Sequence, residues 1–360
     1  MLRAIAANRL NLLLALVPAC WALVALAPGS SWIFVTAACS LVPLAGLIGL
    51  ATEQLAARSG PAWGGFLNAT FGNAAELIIG VVGLNNHHVA LVKASITGSI
   101  LGNLLLVLGL SFFAGGLGRK SQTFNRTTAT NTASMLFLAV VALVLPAVFD
   151  LALYGSLNAR PAIVDRLSFW SALVLIGAYL GSVVYSFTAH CDPFRSTPHE
   201  DDATRLSTAQ AVTLLAAATV LTTIQAELLV REIEPALAQF GFSELFAGVI
   251  VVALIGNAAE HYSAVTAARR DQMTLAVEIA VGSSAQIALL VAPFLVVYSW
   301  LLGRPMSLVL SPLEITGITV SVLATAMVVA DGESNWVEGL QLLSVYLILA
   351  IAFYLMPIAP

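Results

Sequence analysis

Eleven apolar runs, near residues 9–28, 31–52, 61–85, 89–115, 130–152, 167–188, 208–231, 243–267, 272–302, 308–330 and 337–357, leave this chain little choice of fold. Each approaches the roughly 20 residues that carry a helix across a bilayer. In hydrocarbon, every backbone polar group must be satisfied within the protein, and helices do this segment by segment. The reading is therefore an all-α polytopic membrane protein with 11 transmembrane helices. Composition agrees, with 59% apolar and 9% charged residues, against roughly 25% charged in a soluble domain. A net charge of −4 offers nucleic acid no basic face. Cys20, Cys39 and Cys191 are far apart, with no CxxC or Cys/His cluster for zinc or a disulfide framework. The first run resembles a signal peptide in length, but the next run follows almost at once, so it is read as a retained helix. The fourth and ninth runs are long and Gly-rich, and are expected to be broken or strongly tilted.

Basic residues collect on the cytoplasmic side of membrane proteins. With the N-terminus inside, ten of them (Arg3, Arg9, Arg58, Arg119, Lys120, Arg126, Arg195, Arg205, Arg269, Arg270) fall inside and five (Lys93, Arg160, Arg166, Arg231, Arg304) outside. The N-terminus is therefore expected to be cytoplasmic. The one long polar connector, around His199, Glu200, Asp201 and Asp202, then joins two halves of five spans each.

Those halves are copies. Gly72-Asn73-Ala74-Ala75-Glu76 recurs letter for letter 184 positions later as Gly256-Asn257-Ala258-Ala259-Glu260, and Gly98-Ser99 recurs at the same offset as Gly282-Ser283. Five is odd, so the second copy crosses the membrane in the opposite sense. This predicts an extra N-terminal helix (1–30), a five-helix repeat (31–188), a cytoplasmic linker (189–207) and a second, inverted five-helix repeat (208–360). Inverted repeats of this kind characterise secondary transporters, with the binding site at the midplane between the halves.

Glu76 and Glu260 each stand about fifteen residues into a span. A carboxylate at that depth costs about 2.5–3.5 kcal/mol on insertion scales and marks an ion path by default. Asn73 and Asn257 lie three residues earlier, on the same helix face. Carboxylates, amide oxygens and carbonyls freed near Gly72 and Gly256 are hard ligands, which suit Ca²⁺ rather than zinc or copper. Ser99, Ser283, Asn103 and Gln286 lie in the spans that follow, as further ligands, as groups orienting the glutamates, or as packing contacts. Burial and a neighbouring like charge both favour a protonated carboxyl in general, so one site can hold protons or a divalent ion in competition. No resident cofactor is expected; the partners are Ca²⁺, protons and the lipid bilayer, and a homo-oligomer is left open.

At these residues the chain resembles the cation/proton exchanger (Ca²⁺/H⁺ antiporter) branch of the Ca²⁺/cation antiporter superfamily. Leu67–Ile79 (LNATFGNAAELII) resembles that family's first repeat motif and Gly256–His261 (GNAAEH) its second; Gly98–Gly109 and Gly282–Phe294 resemble the spans that follow. The resemblance implies Ca²⁺ export driven by inward proton flow, with Glu76 and Glu260 as the paired transport glutamates beside Asn73 and Asn257. It also suggests that Glu53 and Glu227, near the ends of the second and seventh spans, attract cations or relay protons; the plain alternative is carboxylates in interfacial water. Glu244, Glu278 and Glu314 have no repeat partner and read as interfacial or locally paired. His87 and His88 read as a polar turn, and His261 follows Glu260 where the first copy has Leu77.

Sodium-driven members of the superfamily typically carry Pro before the glutamate, whereas Ala75 and Ala259 stand there in this chain. Other readings are an H⁺-coupled exchanger of another divalent ion such as Mn²⁺, or a passive cation channel. An intramembrane hydrolase finds no support, since there is neither HExxH nor GxSxG with a partner histidine. The expected location is a prokaryotic cytoplasmic membrane, or an organelle membrane in a eukaryote.

Overall fold

The computed structural model describes residues 9–59, 64, 67, 70–155, 161–189 and 206–356. The acidic connector, with His199–Asp202, lies outside the described residues. Thirteen helices carry the described chain: α1 (Leu10–Leu26), α2 (Ser31–Ala56), α3 (Ala74–Asn85), α4 (Val89–Gly116), α5 (Arg126–Tyr154), α6 (Pro161–Ala189), α7 (Thr208–Arg231), α8 (Ile233–Phe240), α9 (Glu244–Gly256), α10 (Ala258–Arg269), α11 (Met273–Leu301), α12 (Pro312–Val328) and α13 (Trp336–Tyr354). Seven of them are long and apolar enough to cross a membrane, α1, α3 and α12 are shorter apolar helices, and α8 meets α9 at a bend of 110°. One antiparallel pair, Gln122–Thr123 with Glu333–Ser334, ties the loop after α4 to the loop before α13.

Local sequence sets the helix ends. Ser207 with Gln210, Ser311 with Glu314, and Asn335 with Glu338 form reciprocal capping boxes on α7, α12 and α13, each satisfying two otherwise orphaned N–H groups. Asn125 caps α5 by accepting from the Thr128 N–H at 3.1 Å. Outward-facing Leu138, Val141, Leu145 and Val148 recur along α5 at three- and four-residue spacing. That is an apolar stripe for lipid rather than water.

The backbone repeats where the sequence does. Helices α3 and α10 are both 12 residues long and begin 184 positions apart. Each is followed by a non-glycine residue in the left-handed region, His87 (φ 68°) and Asp271 (φ 64°). The next N–H reaches back across that turn in both copies, His88 to the Gly83 carbonyl at 2.9 Å and Gln272 to the Ala267 carbonyl at 3.0 Å. This closes the helix C-terminus in a Schellman-like cap. The expected breaks in the fourth and ninth spans are absent; α4 and α11 run through, each with a π-helical stretch instead, at 102–107 and 287–291. Such stretches widen a helix without cutting it and frequently occur at functional sites.

Helices α4 and α11 form the centre, with 83% of the apolar stretch of each buried, against 28% in α6 and 17% in α13. Small residues permit this. A Cβ on Gly339 of α13 would lie 2.7 Å from the Gly109 carbonyl oxygen of α4, so only glycine allows that approach.

Lys93, counted among the outside charges, stands in the first turns of α4, half-buried, and donates to Ser307 Oγ (3.1 Å) and the Val309 carbonyl (3.0 Å). It helps hold Met306–Leu310, a non-helical stretch buried throughout. There the Leu308 N–H donates to Ser168 Oγ at 2.9 Å and the Met306 N–H to Ser299 Oγ at 2.8 Å. Ser168→Ala leaves the buried Leu308 donor unpaired, an expected cost of about 1–3 kcal/mol. This should appear as a lower thermal midpoint in detergent, and an unchanged midpoint would show that the stretch does not depend on this bond.

Candidate cation site

The two repeated motifs meet at two matching helix interruptions. Asn73 (φ −100°, ψ 25°) precedes α3, and Asn257 (φ −94°, ψ 5°) separates α9 from α10. Both stand near the sparsely allowed bridge region. The Leu77 N–H returns to the Asn73 carbonyl at 3.1 Å and the His261 N–H to the Asn257 carbonyl at 3.0 Å, so helix resumes at once. Glu76 and Glu260 thereby fall in the first turns of α3 and α10, where unpaired N–H groups and the helix dipole favour negative charge.

The copies are brought face to face. A Cβ on Gly256 would lie 3.5 Å from Glu76 Oε1, so the first glutamate rests against the backbone of the second motif. Glu76 and Glu260 are near enough to repel each other. Behind the second motif, a Cβ on Gly46 of α2 would meet Ala259 Cβ at 3.6 Å.

Hydrogen bonds cross between the halves. The Asn73 amide donates to Gln286 Oε1. Asn257 donates to Ser99 Oγ at 2.8 Å and to the Ala253 carbonyl at 2.9 Å, and accepts from the Asn103 amide at 3.2 Å. Ser283 and Asn103 stand against the Glu260 carboxylate. Asn73, Glu76, Ser99, Asn103, Asn257, Ser283 and Gln286 are all buried, whereas Glu260 is half-buried. With the amide donors engaged, Asn73 Oδ1, Asn103 Oδ1 and Glu260 Oε2 remain buried acceptors with no hydrogen-bond partner. Two unpaired amide oxygens and one unpaired carboxylate oxygen are costly as they stand, and with the remaining carboxylate oxygens they are the kind of hard donor that suits a hard cation.

Every residue nominated for the centre of the site is thus brought to one place, with roles distributed unevenly. Asn257 uses its oxygen on Asn103 and acts as a cross-link, while Asn73 and Asn103 each present a free oxygen. Glu53 and Glu227 are exposed and outside this cluster; Glu227 accepts from the Asn86 amide at 3.1 Å. Glu314 is buried and locally paired, accepting from Thr97 Oγ1 at 3.1 Å and the Ser311 N–H at 2.8 Å. His88 faces Glu244 at 3.5 Å, and His87 pairs with Arg304. Among the described residues, no group of three or more His, Cys, Asp or Glu side chains is placed to hold a metal; the other buried oxygens beside the two carboxylates belong to amides and hydroxyls. Sequence reasoning missed the π-helical stretches beside it; no residue pattern signals them.

Helices of membrane-spanning length that bring two carboxylates on interrupted helices together with buried amide and hydroxyl groups define a multi-pass membrane protein with a polar centre. Residues 29–188 and 210–355 match the family model described as sodium/calcium exchanger protein, and the chain belongs to that family. It is 41% identical over 348 residues to a Ca²⁺/H⁺ antiporter of Synechocystis, covering 91% of this chain and 92% of that one. The Ca²⁺/H⁺ antiporter ChaA of Bacillus subtilis is 42% identical over 332 residues, covering 91% and 93%. The solved structure of native YfkE superposes with a TM-score of 0.83 at 39% identity, over 96% of this chain and 100% of that chain.

Proposed function

We propose that this protein is a secondary active transporter that exchanges Ca²⁺ for H⁺ by alternating access, with Glu76 and Glu260 binding Ca²⁺ or protons in competition. One observation carries the reading: two glutamates in identical motifs, contributed by corresponding helices of the two halves, face each other beside unpaired buried oxygens. Two carboxylates match one divalent charge, and the neutral oxygens of Asn73 and Asn103 replace part of its water shell. Protonation removes the charge that holds the ion, so loading one species releases the other. Ser99, Ser283, Asn257 and Gln286 position the ligands. Antiporter relatives that align along nine-tenths of their length support Ca²⁺ and H⁺ as the exchanged pair.

In this reading α9 and α10 are one crossing interrupted at Asn257, α8 lies to its side, and the third crossing (61–85) falls only partly within the described residues. Eleven crossings then follow, as a leading helix and two inverted five-helix repeats, with Glu53 and Glu227 outside the site as interfacial acids. Arg58, Arg119, Lys120, Arg126, Arg269 and Arg270 fall at the end of the bundle opposite Glu227, which supports a cytoplasmic N-terminus. The half-exposed second motif beside a buried first one supports a site open toward one face at a time.

The test is Ca²⁺ uptake into proteoliposomes under an imposed proton gradient, with a sodium gradient in parallel. Uptake should follow the proton gradient and collapse with a protonophore. Flux that follows sodium, or runs down its own gradient with no dependence on protons, would replace the exchange reading by a sodium-driven exchanger or a channel.

A further inference from the structure

The site described above leaves one pair of buried polar side chains unused. Thr222 and Gln225 of α7 are both 0% exposed, and the Thr222 hydroxyl and both amide atoms of Gln225 have no hydrogen-bond partner among the described residues. Three apart on a helix, they share a face. Within hydrocarbon an unpaired amide has no water to fall back on, so this conformation leaves both side chains unfavourably placed.

Their position explains what would satisfy them. Helix α7 lies along α2 and against α3. Toward its Glu227 end, Ala226, Leu229 and Val230 pack with Ile33, Ala37, Ile79 and Val82. Toward its start, Ala211, Leu214 and Ala218 pack with Leu47, Ile48, Ala51 and Ala74. Thr222 and Gln225 fall in the seam between these two apolar clusters. The same seam crosses α2 around Pro43, whose ring removes a helix donor, and around Gly46, which backs onto Ala259. On α3 it falls between Ala74 and Ile79, where Glu76 stands. A polar seam at the depth of the glutamates therefore runs into the interface of α2, α3 and α7.

We infer that Thr222 and Gln225 line the route between Glu76 and the Glu227 end of α7, receiving water and the partly hydrated divalent cation when α7, with α2 packed along it, parts from α3. The hydroxyl and the amide oxygen stand in for shed hydration waters, and the amide N–H groups hold the waters that stay. In the closed arrangement the two clusters seal the seam on either side, and the pair is left unpaired. The inference rests on the exchange reading above for the identity of the ion.

The experiment pairs Gln225→Leu, which matches the side chain in size, with Gln225→Cys in a background lacking Cys20, Cys39 and Cys191. Gln225→Leu should fold with equal or higher thermal stability, since an unpaired amide is removed. Its Ca²⁺ turnover in proteoliposomes should fall about tenfold, the effect of losing a hydrogen-bonded partner on the path. Gln225→Cys should react with a membrane-impermeant maleimide from one face of the vesicle only. Wild-type turnover in Gln225→Leu overturns the inference, as does a Gln225→Cys protein labelled from neither face. If the unmodified protein shows no proton-coupled flux, the exchange reading fails instead, and the labelling still decides whether the seam opens to water.

Discussion

Glu76→Gln and Glu260→Gln are each expected to cut proton-driven Ca²⁺ uptake by at least roughly a hundredfold. A unit charge 4 Å from another is worth about 4 kcal/mol at an effective dielectric of about 20, which is roughly a thousandfold in binding. Part of that is offset because glutamine keeps a carbonyl oxygen as ligand. Glutamine cannot take up a proton in place of the ion, so both halves of the exchange fail together. The measurement is initial uptake by variants reconstituted at equal amounts, after size-exclusion profiles have shown that each remains folded. Normal flux in both would end the claim that the glutamates form the site. Loss in one alone would assign binding to that motif and leave the other a packing role.

Gly98→Ala is expected to abolish the folded protein, whereas the corresponding Gly282→Ala is tolerated. A Cβ on Gly98 would lie 2.6 Å from Val249 Cα and nearer still to its carbonyl, and backbone cannot swing aside as a side chain can. Overpacking of this kind typically costs 1–3 kcal/mol and occasionally more; here about 3 kcal/mol or more is expected, because a helix crossing must widen. A Cβ on Gly282 meets nothing within 4 Å, and alanine favours helix over glycine by about 1 kcal/mol. Folded yield and thermal midpoint in detergent separate the two. Equal behaviour of the pair would mean that α4 and α9 do not cross at Gly98 as closely as described.

Much of this was legible in the letters because the bilayer imposes its own length on apolar runs. The helices α2, α4, α5, α6, α7, α11 and α13 each correspond to a run visible in the sequence. Glu76 and Glu260 were legible for a second reason: a charged residue in an apolar span stands out, and its repetition at one offset removes chance. The partners of Lys93 were not legible, because a charge near the start of a run reads as interfacial. Its partners, Ser307 and the Val309 carbonyl, lie more than two hundred residues away.

The sequence by itself determined that the chain carries membrane-spanning helices and that one pentapeptide recurs 184 positions on, and it singled out two carboxylates, because hydropathy, repetition and charge are local properties. It could not distinguish Gly98 from Gly282, or foresee that Asn257 would be a cross-link while Asn73 and Asn103 kept free oxygens. Only the tertiary structure decided these, because identical letters acquire different neighbours once the second copy packs against the first. Burial, unpaired acceptors and close backbone crossings belong to that packing, and no single stretch of chain contains them.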